Sequence, residues 1–71
     1  MKAGEMYSYV PTIGDFAAND IRTGTRVKVV HVPNVKAAPA GFQYVQTATD
    51  EVFIAQEKSL VGPLKGGFFI P

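Results

Sequence analysis

The chain contains no cysteine and no tryptophan, and His31 is its only histidine. Without cysteine there is no disulfide, which fits a reducing compartment. A zinc site draws about four ligands from Cys, His and carboxylates, so neither a structural metal nor a cofactor is expected. Serine is scarce as well, with only Ser8 and Ser59. No Gly-x-Ser-x-Gly, P-loop or dinucleotide fingerprint is present. Gly62-Pro63-Leu64-Lys65-Gly66-Gly67 has glycines and a lysine but not the Walker spacing. Asp50-Glu51 are adjacent acids of the kind that a turn leaves in water. A non-enzymatic protein is expected. The exception would be a site built on an oligomer's symmetry axis, as in the small plasmid-encoded dihydrofolate reductases, whose motifs are not found.

Charge is also sparse, at 18% of residues against a usual ~25%. Apolar residues make up 46%, so the chain is expected to fold rather than remain disordered. No apolar run approaches the ~18 residues that span a bilayer, so no membrane role is expected. Met1-Lys2-Ala3-Gly4-Glu5 has no apolar stretch behind it, and no signal peptide is expected. A soluble protein, intracellular or virion-associated, is the corresponding expectation.

With 71 residues there is room for a single domain, residues 1–71, and one thin core. Small proteins often gain stability through a metal, a disulfide or a partner, and here association is what remains. Five prolines and seven glycines interrupt every window that a helix of ordinary length would need. Residues 15–22 have the pattern of one helical turn at most. Thr25–Val32 is the strongest strand, with Val27 and Val29 on one face and Arg26 and Lys28 on the other. Val30 and Val32 then change parity, which predicts a bulge or bend. Residues 33–41 read as a loop. Phe42–Thr47 and Val52–Gln56 read as a hairpin across Ala48–Glu51. Lys58–Leu64 reads as a turn with a short 3₁₀ segment, anchored by Leu60 and Leu64, and Met6–Val10 as a further strand. Val27, Val29, Val45, Ile54 and Leu60 are the expected core.

Ile21, the Gly24 turn, the Val-x-Val strand, the Pro/Gly loop, the hairpin and the leucine-bearing turn follow one another over residues 21–64. In outline this order resembles an SH3-like small barrel. The expected fold is therefore all-β with little or no helix, an SH3-like barrel or else an OB-like barrel or short meander. Closure would remove the exposed edges of a small open sheet.

Two binding functions follow. The apolar terminal segments, 1–16 and 66–71, include Tyr7, Tyr9, Phe68, Phe69 and Ile70. They predict a protein interface with a second copy or a larger complex, such as an accessory or decoration subunit encoded by a phage or plasmid. An inhibitor docking on a host enzyme would use the same features. Alternatively, residues 21–49 carry Arg22, Arg26, Lys28 and Lys36 with no acidic residue, while both flanking segments are net negative. With Tyr44 as a stacking platform, these residues would form a nucleic-acid surface within the basic stretch 22–36.

Overall fold

A computed structural model describes residues 1–18 and 21–68, apart from the side chains of 16–18. The expected interface residues Phe69 and Ile70 lie outside the described residues. Among the described residues five strands form one antiparallel sheet in the order β4-β3-β2-β1-β5. They are β1 (Met6–Tyr9), β2 (Thr25–Val29), β3 (Phe42–Thr47), β4 (Val52–Gln56) and β5 (Leu60–Leu64), with a six-residue helix α1 (Ile13–Ala18) after β1 and a 3₁₀ turn (Glu57–Ser59) before β5. The fold is all-β.

The core is built by strict alternation. Tyr7 stands opposite Val27, and Val27 opposite Thr47. One step along, Val29 stands opposite Val45, and Val45 opposite Phe53. These side chains share one face with Tyr9, Ala55 and Leu60, and all but Phe53 are buried. A fully buried valine contributes about 1.5–3 kcal/mol relative to an exposed one, so these rows carry much of the fold.

The sheet curls around that face. Tyr9 on β1 and Phe53 on β4 make an edge-to-face ring contact at 5.1 Å, though β2 and β3 lie between their strands. In a flat sheet strands three places apart stand about 14 Å from each other. Among the described residues no ladder joins β4 to β5, so the expected closed barrel is not seen.

Several expectations need correction. Ile54 is not core: β4 turns Phe53 and Ala55 inward and leaves Ile54 on the outer face. Tyr7 and Tyr9, expected at an interface, are internal, because β1 lies between β2 and β5 and buries both. β2 ends at Val29; Val30 adds one bond to the Tyr44 carbonyl at 3.0 Å before the chain leaves the sheet. The irregular step falls instead between β1 and β5, where Gly62 and Pro63 together stand against Tyr7. Lys58–Leu64 is only in part a turn, since Leu60–Leu64 is β5. The loop over 33–41 and both strands of the hairpin lie where the pattern puts them.

Candidate binding surface

The hairpin turn positions the outer face of β4. Thr47 Oγ1 accepts the N–H groups of Thr49 and Glu51 at 3.3 and 3.2 Å. Asp50 takes a left-handed conformation, φ 66°, which aspartate tolerates better than most residues. Val52 and Ile54 then stand on the outer face beside Gln46 and Tyr44 of β3. They are 45% and 36% exposed. Ile13, at the start of α1, is 90% exposed.

The hydrogen-bond alternation decides which way the β4 backbone points. Thr47 N–H donates to the Glu51 carbonyl at 2.9 Å, and Glu57 N–H to the Gly41 carbonyl at 2.8 Å. In an antiparallel ladder bonded and non-bonded pairs alternate. Phe53 and Ala55 therefore turn their N–H and C=O groups toward β3, and Val52, Ile54 and Gln56 turn theirs away. Gln56 agrees, since its outward N–H is taken by Asp15 Oδ1 at 3.4 Å. No described strand pairs with β4 on that side. Val52 and Ile54 thus combine exposed apolar side chains with outward backbone groups. β4 also lacks proline, lysine and a bulge, devices that normally protect an edge. The opposite edge, β5, has both Pro63 and the irregular step.

Asp15 closes the other end of this edge. Its carboxylate accepts from the Thr12 N–H and hydroxyl, both at 3.1 Å, and from the Ser59 hydroxyl. Thr12 and Asp15 stand at the N-cap and third positions of α1, where a carboxylate reaching back satisfies an orphan N–H. Burial opposes the charge, but the bonds from Ser59, Thr12 and Gln56 outweigh it and hold the carboxyl below its ordinary range. This buried cluster ties α1 to the β4–β5 corner. The Thr-x-x-Asp spacing was its sequence signal, and it went unread because one short turn was expected further along the chain.

The expected site residues scatter. Tyr7 is internal, its hydroxyl donating to Glu5 Oε1 at 3.0 Å. Burial and then Glu5 push that hydroxyl's pKa above its usual value. Tyr9 is internal too, so neither tyrosine forms an exposed contact. Phe68 is half-buried on the outer face, its ring centroid 5.6 Å from Lys28 Nζ. Arg22, Arg26 and Phe68 meet in a groove of about 390 Å³ that also includes Thr25, Thr49 and Glu51. Lys36 and Tyr44 meet elsewhere, the Tyr44 hydroxyl donating to the Lys36 carbonyl at 2.8 Å. The basic stretch is thus divided between two places. Among the described residues no group of three or more His, Cys, Asp or Glu is placed to hold a metal, and no helix is long and apolar enough to cross a membrane.

Comparison with protein-family models, curated protein sequences and solved structures found no match.

Proposed function

We propose that this chain is a non-enzymatic protein-binding module that works as an assembly component, with β4 as its contact surface. The observation that carries this reading is the coincidence on β4 of outward backbone groups with exposed Val52 and Ile54. Strand addition at such an edge draws affinity from main-chain bonds and specificity from alternate side chains. Among the described residues no catalytic set is assembled, which supports it further. Asp15 and Ser59 meet, but His31 is exposed on the 30–41 loop, and Asp15 is engaged in holding α1. An accessory subunit of a larger complex and an inhibitor of one enzyme both suit such an edge. We read the curled sheet as an SH3-like small barrel, supported by the β2–β3–β4 meander, the 3₁₀ turn and the return of β5 beside β1.

The test is to replace Val52 and Ile54 by lysine, singly and together. The variants stay folded and lose self-association by light scattering; with a photoreactive residue at position 52, Ile54→Lys likewise loses the covalent capture of a partner protein. Variants that associate as the parent does overturn the reading.

A second reading has one observation in its favour. Arg22 and Arg26 converge with Phe68 on one groove, which would seat an unpaired nucleotide by charge and stacking. Glu51 on the same groove opposes it. Gel shifts at low salt with single-stranded DNA, duplex DNA and RNA decide the matter. Binding lost on Arg22→Ala with Arg26→Ala supports nucleic acid, and no shift with any probe removes it.

A further inference from the structure

The strand that β4 is built to accept can be deduced from its own backbone. Only Val52, Ile54 and Gln56 turn N–H and C=O groups outward, so only they can bond to an added strand. Suppose that strand is β4 of a second copy, running antiparallel about a two-fold axis. With the axis at Val52, Ile54 would face the partner's Asp50, whose φ of 66° is not extended. With the axis at Ile54, Val52 would face the partner's Gln56. That N–H already donates to Asp15, and α1 crowds the residue, since a Cβ built on Gly14 would lie 2.5 Å from Gln56 Nε2. With the axis at Phe53, Val52 faces the partner's Ile54 and Ile54 faces the partner's Val52. Every group used in that register is outward and unengaged.

We propose that two copies of this chain pair through β4 in that last register, forming one continuous sheet; the proposal rests on the protein-binding reading above. The side chains fit the same geometry. Val52 and Ile54 share the outer face, so each packs beside its β-branched counterpart across the axis, a favourable cross-strand pair. Glu51 stands opposite the partner's Ala55, so no like charges oppose each other. The assembly stops at two. It uses the same strand of both copies, as a closed two-fold interface does, and Pro63 and the irregular step on β5 disfavour pairing at the other edge. Asp15 acts as a register stop, taking the one outward N–H that would let the strands slide.

The chain is short enough for chemical synthesis, which allows a backbone test. N-methylation at Ile54 removes only an outward N–H and leaves the β3 ladder and every side chain in place. Sedimentation velocity across a wide concentration series should show a monomer–dimer equilibrium for the parent chain. The N-methyl chain should dimerise about ten- to a hundredfold more weakly, because the symmetry removes the bond twice, with an unchanged circular dichroism spectrum. N-methylation at Val52 should do the same, which provides a second variant should the first fold poorly. A parent chain that stays monomeric at all concentrations overturns the proposal, as does a dimer indifferent to both modifications. If that monomer still captures a different protein from position 52, only the identity of the partner is wrong. If it captures none, and the lysine variants change nothing, the protein-binding reading falls with it.

Discussion

At the scale of single residues, two positions carry more than their size suggests. Asp15 is a buried carboxylate stabilised by hydrogen bonds rather than by a cation. Its folded pKa lies below the unfolded value, so its contribution is present above that value, ordinarily near 3.8, and is lost as pH falls through the folded one. Urea midpoints measured at a series of pH values should therefore decline on the acid side, and Asp15→Asn should flatten that decline. At neutral pH the substitution should cost roughly 1–3 kcal/mol, because Thr12, Gln56 and Ser59 lose an ionised acceptor. Gly62 is the other position. Its φ of 152° combines with a built Cβ that would lie 2.9 Å from Leu64 N and 3.1 Å from Tyr7 Cδ2. Gly62→Ala meets backbone on one side and a buried ring on the other, and should cost about 1–3 kcal/mol in thermal or urea unfolding.

At the scale of elements, the decisive feature is the parity of β4. Val29→Ala should cost about 1–3 kcal/mol, whereas Ile54→Ala should stay within roughly 0.5 kcal/mol in the isolated monomer. Denaturant unfolding of both at low concentration checks the pair, and equal costs would mean that the strand faces the other way. The pattern made the extent of β3 and β4 legible, because β-rich runs flank a polar four-residue connection. It did not make the parity legible. Val52-Phe53-Ile54-Ala55 is apolar at every position, so alternation cannot choose a face. The choice comes from the partner on β1: the Tyr9 ring packs edge-on against Phe53, which puts Ala55 inside and Ile54 out. β5 was hidden for a related reason. Gly62-Pro63 reads as a breaker, and only an edge strand opposite an irregular step accommodates both residues. The candidate edge was illegible too, because it depends on which backbone groups the turn leaves facing outward.

At the scale of the whole molecule, the two apolar termini have different fates. The first supplies an internal strand of the sheet and contributes Tyr7 and Tyr9 to the core. The described end of the second, Lys65–Phe68, lies along the outer face of β2. There Arg26 Nη1 reaches the Lys65 carbonyl at 3.5 Å and Lys28 sits over the Phe68 ring. Phe68→Ala should therefore lower thermal stability modestly, by about 0.5–1 kcal/mol, and leave association unchanged, because its ring packs with Lys28 of β2 and supplies none of the outward backbone groups of β4. Loss of association with that variant would move the contact surface from β4 to the tail. The sparse charge fits a sheet whose outer face is partly covered by its own tail.

Residue-resolved amide hydrogen exchange, followed by NMR as the protein is concentrated, reaches the central claim most directly. In dilute monomer the Phe53 and Ala55 amides should be protected by β3 while those of Val52 and Ile54 exchange freely. As association sets in, protection should appear at Val52 and Ile54. Val52 and Ile54 amides that are protected at every dilution, or that stay unprotected in the associated state, would contradict the account.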